Sequence, residues 1–417
     1  MTERKNLLII SDAVAASTGL ARVARDLAVR INTNLSDVYR IATAGFGSAG
    51  SSKFPWHQYF LEGVSDWVIP TIREIIEDFA GDEKCIVLFI WDASRLGWFS
   101  QPDRIGSESL AKFPGLKEWL RTANIERWTY SPIDASGPND RLSFPLGLTL
   151  AGFDRILAYG DFGEGVIRRT LGEDESNKRH LTWLPHGIDT SVFYPRDRSA
   201  SRLFFLENTK AQTILSMFGV PGVVTSPLEE DEVLIGAVAT NQQRKDWTLA
   251  IETCAILSRD RKIRLWIHTD SLERAWSLPN LLIDYGLIDR TVISLGQITD
   301  ENLAMAYSAC DITLGPGAEG FGFPLAESLA CGTPLVTGSY AGANDFVPKW
   351  YLVDPIGFRY EGSYSCKRPV YNANDWANRA DSLLSRPWLR SETSLPDRID
   401  WNVNWIAWEK YLREAAK

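Results

Sequence analysis

The chain has 417 residues, of which 45% are hydrophobic and 23% charged, with a formal net charge of −9. That balance excludes a disordered chain, a fibre and a small disulfide scaffold, and at about 150 residues per domain the length predicts two or three domains. An acidic charge with no basic block argues against a duplex-binding module, because such binding rests on phosphate neutralisation.

From the start of the chain, Asn6–Ser11 reads as a buried strand. Its apolar core, Leu7–Ile10, is too short for a signal-peptide core of about 7–15 residues, and no run approaches the ~18 apolar residues that span a bilayer. A cytoplasmic protein without a transmembrane segment is expected, with peripheral membrane contact left open. Leu20, Val23, Ala24, Leu27 and Ile31 then fall on one helical face. Val38–Ala44 reads as a strand and runs into Gly45-Phe46-Gly47-Ser48-Ala49-Gly50, which fits the GxGxxG of dinucleotide-binding turns. That fingerprint must also open a helix, and Ser51-Ser52-Lys53-Phe54-Pro55 does not, so the chain does not read as a dehydrogenase.

Cys85–Ile90 and Ile156–Tyr159 continue this first series of apolar strands. A charged, irregular stretch from Asp189 to Glu232, punctuated by Pro195, Pro221 and Pro227, interrupts it. The pattern restarts with Val233–Ala239, followed by Ile263–His268, Thr291–Leu295, Ile312–Leu314 and Pro334–Thr337. Continuously apolar strands alternating with helices predict an α/β fold of parallel sheets covered on both faces, in two Rossmann-like, doubly wound domains. The expected division is residues 1–190 and 191–400, with a tail helix over 401–417. In that tail Trp401, Trp405, Trp408 and Leu412 share a face that must dock on something. The five cysteines are odd in number and include no CxxC pair, which fits reduced thiols filling core space.

The most informative segment is Gly315–Thr337, GPGAEGFGFPLAESLACGTPLVT. It reads as a strand end, a glycine-rich loop and a helix opened by Pro324, where the missing N–H costs nothing. Gly320 and Gly322, interleaved with Phe321 and Phe323, let the backbone approach a ligand, and the helix start offers N–H groups to a phosphate. Glu319 on the loop and Glu327 in the first helical turn are acceptors suited to sugar hydroxyls. A molecule with both phosphates and hydroxyls fits such a loop; a plain connection with two solvated glutamates is the alternative. After the Val233–Ala239 strand, Asn241-Gln242-Gln243-Arg244-Lys245-Asp246 sets two adjacent cations where they would meet a diphosphate leaving group. Cations at a helix start oppose its macrodipole, so a purely structural purpose is weak. The chain has no Asp-x-Asp, the carboxylate pair with which metal-dependent transferases commonly hold a diphosphate. Asp92, after Trp91, and Asp134, after Tyr130-Ser131-Pro132-Ile133, each follow a predicted strand. Each is a candidate for binding a hydroxyl, with an Asx turn as the alternative. Trp91 and Trp98 offer rings that stack on a sugar or base, or simply pack.

The Gly315–Thr337 segment closely resembles the E-x7-E signature of the retaining, nucleotide-sugar-dependent glycosyltransferases of the GT-B fold, the group 1 family. Asn241–Asp246 is similar to that family's basic diphosphate-binding element. Pro185-His186-Gly187-Ile188-Asp189, with Val192-Phe193 and Pro195, is similar to its interdomain segment, and Ser17-Thr18-Gly19-Leu20 to its N-terminal glycine loop. Where many relatives carry a site histidine this chain has Asp134, a departure.

The resemblance implies two domains facing a cleft, the donor on the C-terminal one and the acceptor on the N-terminal one. It also implies a hinge near Asp189–Pro195 and a tail helix crossing back. A sugar would pass with retention from a nucleotide-diphosphate sugar to an acceptor hydroxyl, with no tightly bound cofactor and no metal. Arg244 and Lys245 would stabilise the leaving group, Glu319 would hold the transferred sugar, and Glu327 the ribose, with Asp134 completing the catalytic set. Gly19, Asn241, Gly320, Phe321, Gly322 and Phe323 would contact the donor, while Asp92, Trp91 and His186 would line the acceptor side or the cleft. The acceptor is open among sugars, lipids, proteins and a hydroxymethylated DNA base, the last disfavoured by the acidic charge. The alternatives are a catalytically silent nucleotide-sugar-binding protein and a phosphorylase or epimerase on the same fold.

Overall fold

A computed structural model describes residues 4–47, 53–61, 68–104, 110–217, 227–386 and 397–417. Pro221 and the Ser48–Ser52 part of the GxGxxG stretch lie outside the described residues. The chain forms two compact units. One comprises Met1–His186, Gly362–Cys366 and Asn402–Lys417, the other Gly187–Glu361 and Lys367–Trp401.

The first unit is built on seven strands: β1 (Lys5–Asp12), β2 (Tyr39–Phe46), β3 (His57–Leu61), β4 (Cys85–Phe89), β5 (Ile125–Ser131), β6 (Arg155–Ala158) and β7 (Thr182–Trp183). They lie in the order β3-β2-β1-β4-β5-β6-β7, every pair parallel. Leu7, Leu8, Ile9 and Ile10 are each at most 1% exposed. Consecutive strand residues point to opposite faces, so both faces of β1 are covered. The helix Gly19–Asn34 covers part of one face with Val23, Ala24, Leu27 and Ile31. Its cap, Thr18, accepts from the Ala21 N–H at 3.1 Å and donates to the Asp12 carboxylate, which ties the helix start to the end of β1. β3 is absent from the predicted strands because only Leu61 in it is buried, leaving no apolar run to read.

The tail helix Trp401–Ala415 sends Trp408 and Leu412 fully into this unit, with Trp405 also buried. The Tyr39 hydroxyl donates to the Leu412 carbonyl at 2.7 Å, and the Trp408 indole to the Pro185 carbonyl at 3.0 Å. Trp408 meets Tyr130 edge-on at 4.9 Å, and Tyr411 meets Trp128 at 5.9 Å.

The second unit carries β8 (Gln212–Thr213), β9 (Val233–Val238), β10 (Ile263–Thr269), β11 (Thr291–Leu295), β12 (Ile312–Gly315), β13 (Leu335–Gly338) and β14 (Leu352–Val353). Their order is β14-β13-β12-β9-β10-β11-β8, parallel except for β8 against β11. The stretch expected to be irregular holds, among its described residues, β8 and three short helices, Arg198–Leu203, Phe205–Thr209 and Ile214–Met217. Phe205 anchors them by burying its ring against Trp266 at 5.5 Å. A separate two-stranded sheet pairs β15 (Gly357–Glu361) with β16 (Cys366–Val370). At Gly187 a Cβ would lie 2.5 Å from the Trp401 nitrogen and 2.6 Å from the Ile399 carbonyl, so two backbones cross there with room only for glycine. No helix among the described residues is long and apolar enough to cross a membrane.

In each sheet the order of strands reverses at one place. It does so between β1 and β4 in the first unit and between β9 and β12 in the second. The loops that leave the carboxyl ends of those strand pairs diverge and open a crevice, where doubly wound sheets bind ligands.

Candidate functional site

In the second unit the two loops at the reversal point are Ala239–Asp246 after β9 and Pro316–Gly322 after β12. Arg244 and Lys245 stand on a single 3-10 turn, Gln243–Lys245. Asp246 ends that turn in the left-handed region at φ 41° and caps the helix Trp247–Leu257 by accepting from the Leu249 N–H at 3.3 Å. Buried Trp247 fixes the first residue of the helix. The cations therefore sit on a short rigid connection between a central strand and a buried helix.

The glycine-rich loop lies directly against that turn. Gly317 has φ +127°, and a Cβ there would lie 2.8 Å from the Arg244 carbonyl. Both the torsion and the close approach require glycine, a position the sequence reading passed over in favour of Gly320 and Gly322. The approach brings Glu319 to both cations. Its Oε1 accepts from the Arg244 guanidinium at 3.3 Å and pairs with the Lys245 ammonium. Lys245 is 7% exposed, and an ammonium that deep needs such a partner. The Glu319 carbonyl accepts from the Gly342 N–H at 2.9 Å, which fixes the loop from its other side. Gly322 caps the helix Phe323–Ala330, and Phe321 packs on Phe323 and Phe346 at 5.3 and 5.2 Å. A small cavity beside Arg244 is lined in part by Gln243, Gly317, Arg359, Arg368 and Tyr371. Arg359 and Arg368 come from the β15–β16 sheet and carry no motif that would have singled them out.

Glu327 falls just into the second turn of its helix, one step past the first turn expected from Pro324. It is 3% exposed and takes a partner different from that of Glu319, the hydroxyl of Tyr307. Asn241, expected at the donor, has its amide engaged elsewhere. Its Nδ2 donates to the Ser271 and Trp276 carbonyls at 3.1 and 2.8 Å, and its Oδ1 accepts from the Trp276 N–H at 2.9 Å. The Trp276 indole returns a bond to the Gln242 carbonyl at 3.1 Å, so Asn241 clamps the loop after β10 onto the cation loop.

In the first unit, Gly19 heads its helix after β1, and Trp91 and Asp92 follow β4 at the same reversal point. Asp92 is exposed and caps the short turn Ala93–Arg95 by accepting from the Ser94 N–H at 2.8 Å. Trp91 is 3% exposed and stacked on Phe46 at 4.8 Å, so its ring is core here and presents no open face. Asp134 is half-buried in the loop after β5. His186 is fully buried. The Tyr130 hydroxyl gives its one proton to the Leu184 carbonyl at 2.6 Å, so His186 Nδ1–H donates to that hydroxyl at 2.9 Å. Burial, with the Arg22 charge nearby, pushes the imidazole down to about 3 and keeps it neutral. Among the described residues no group of three His, Cys, Asp or Glu side chains is arranged to hold a metal ion.

Residues 232–361 match the family of group 1 glycosyl transferases. The D-inositol 3-phosphate glycosyltransferase of Mycobacteroides abscessus is 29% identical over 202 residues, 48% of this chain and 38% of that protein. Its namesake from Rhodococcus opacus is 23% identical over 328 residues, 77% of this chain and 64% of that one. The chain thus spans less than two thirds of the length of these relatives. A sucrose-phosphate synthase from Thermosynechococcus elongatus shares the fold at a TM-score of 0.68 and 16% identity, over 99% of both chains. The Anabaena protein HepE, solved in complex with UDP-glucose, does so at 0.60 and 12% identity, over 97% of this chain and 99% of that one. Two doubly wound sheets and a cation-and-carboxylate cluster inside the matched segment lead to one conclusion: residues 232–361 form a domain of the group 1 glycosyl transferases, in a chain with the GT-B fold.

Proposed function

We propose that the chain transfers a sugar, with retention of configuration and without a metal ion, from a nucleotide-diphosphate sugar to an acceptor hydroxyl. The observation that carries this reading is the meeting of Arg244, Lys245 and Glu319 at the reversal point of the second sheet. The acceptor oxygen bonds to the anomeric carbon on the face from which the diphosphate departs. The bond from that carbon to the phosphate oxygen breaks, and the acceptor proton passes to the departing phosphate. Arg244 and Lys245 neutralise the charge that grows on the leaving group. No side chain forms a bond to the sugar, unlike the nucleophilic carboxylate of a retaining hydrolase, so the rate rests on charge and positioning.

On this reading Glu319 accepts from hydroxyls of the transferred sugar and Glu327 from the ribose, while the Gly320–Phe323 backbone faces the diphosphate. The unit holding Gly187–Trp401 binds the donor. The unit holding Met1–His186 binds the acceptor, with Gly19, Asp92 and Asp134 at the ends of its strands. The five cysteines form no disulfide, which supports a reducing, cytoplasmic setting. The names of the relatives support a phosphorylated polyol as the first acceptor to try.

Uridine, guanosine and adenosine diphosphates, scored by thermal shift, give the first test, since ligand bound to the native state raises the apparent melting temperature. At least one is expected to do so, and its labelled sugar conjugate should then glycosylate an acceptor such as inositol 3-phosphate in the presence of EDTA. If no nucleotide shifts the melt, the donor reading is wrong. Activity abolished by EDTA and restored by a divalent ion would overturn the metal-free part, and an inverted product would overturn retention.

A further inference from the structure

A carboxylate as deeply buried as that of Glu327 is held by the groups around it. Its Oε2 accepts from the Tyr307 hydroxyl at 2.9 Å. Tyr307 belongs to a different element, the helix Asp300–Ala309, and its ring is fully buried. Burial and the neighbouring Glu327 charge hold the phenol well above its ordinary range, so it remains a donor at any working pH. The tyrosine is fixed in turn: its carbonyl accepts from the Thr333 hydroxyl at 2.6 Å, and Trp266 meets its ring edge-on at 6.3 Å. Beside Glu327, the Ser328 hydroxyl donates to the Thr333 carbonyl at 3.0 Å and lies 2.7 Å from the Thr313 hydroxyl on β12. The turn that carries Glu327 is therefore pinned, and the carboxylate is pinned separately at one oxygen. A terminal carboxylate otherwise rotates over a broad range. A fixed donor on one oxygen stops that rotation and sets the direction in which the other oxygen accepts.

Resting on the reading that Glu327 binds the nucleotide ribose, we infer that Tyr307 is the positioning residue of the ribose site: its hydroxyl holds the Glu327 carboxylate in the orientation that meets a ribose hydroxyl. The site thereby distinguishes ribose from deoxyribose through a residue that the nucleotide never touches.

The test compares binding of the nucleoside diphosphate preferred by the wild-type chain with binding of its 2′,3′-dideoxy analogue, by calorimetry. Wild type, Tyr307→Phe and Glu327→Gln are measured side by side. Tyr307→Phe keeps the ring and removes only the hydroxyl. It is expected to weaken the ribose form about 10-fold, the scale of one hydrogen bond to a charged group, and to leave the dideoxy form unchanged. A merely structural role would move both nucleotides together, or neither, and either result overturns the proposal. Tyr307→Met, whose flexible side chain refills the space without a hydroxyl, is read in the same way if the phenylalanine variant does not fold. Ribose preference that survives Tyr307→Phe but vanishes in Glu327→Gln overturns the role of Tyr307 and leaves the ribose reading standing. Preference kept in Glu327→Gln, or absent from the wild type, overturns the ribose reading itself.

Discussion

Glu319 pairs with both of the cations that a departing diphosphate would need and offsets one of their two charges. A diphosphate entering beside Arg244 and Lys245 meets that carboxylate at close range. Two like charges 4 Å apart repel by about 4 kcal/mol at an effective dielectric of 20, and partial exposure screens this to about 1 kcal/mol. Glu319→Gln is therefore expected to tighten free nucleoside diphosphate about 3- to 10-fold while lowering turnover, because the sugar loses an acceptor. Lys245→Ala should weaken the nucleotide and cut turnover by about 100-fold. Calorimetry and steady-state rates on the two variants check both; a weaker nucleotide in Glu319→Gln would mean that the carboxylate orders the cations rather than competing for them. The two motifs were each legible in the sequence, but their contact was not. Arg244 and Glu319 are 75 residues apart, and the pairing of β9 with β12 brings their loops together. The same limit applies to Asn241 and Trp91. A motif gives a residue's place on the chain, whereas a backbone clamp to Trp276 or a stack on Phe46 depends on distant neighbours.

At the scale of elements, legibility followed burial. β1, β4, β9 and β10 are buried throughout or nearly so and read as apolar runs, while β3, β15 and β16 are half-exposed and gave no periodic signal. The tail helix was legible as a face through Trp401, Trp405, Trp408 and Leu412, but its docking partners Tyr39, Trp128 and Tyr130 were not. Each buried tryptophan removes about 150–250 Å² from water, worth roughly 4–6 kcal/mol before the entropy of ordering the helix is subtracted. Deleting residues 402–417 is therefore expected to destabilise the Met1–His186 unit by several kcal/mol. The deletion also uncovers the Tyr130 and Trp128 rings. A melt followed by tryptophan fluorescence checks this, and a midpoint within about 1 °C of the intact chain would show the helix to be dispensable.

For the molecule as a whole, the buried imidazole of His186 and the half-buried one of His268 set a pH dependence. His186 is held down to about 3 by burial with Arg22 nearby, and His268 to about 4 by burial, against the ordinary 6.5. Below pH 6.5 the unfolded chain takes up protons that the native chain refuses, so stability falls as pH falls and is flat in this respect above 6.5. Each histidine should cost about 2 kcal/mol between pH 6.5 and pH 5, at 1.36 kcal/mol per unit. Urea midpoints measured from pH 7.5 to pH 5 should show the loss, and His268→Asn should remove about half of it; an unchanged slope in that variant would mean that His268 titrates normally. The docking of the tail has a further consequence, for the order in which the protein is made. Tyr39 finds its partner at Leu412, 373 residues later, whereas the second unit ends at Trp401. As the chain leaves the ribosome, the sheet that is synthesised first is the last to be closed. It waits with Tyr130 and Trp128 uncovered through the synthesis of some two hundred further residues, an interval of roughly 10–40 seconds at 5–20 residues per second in which chaperones have an apolar face to hold.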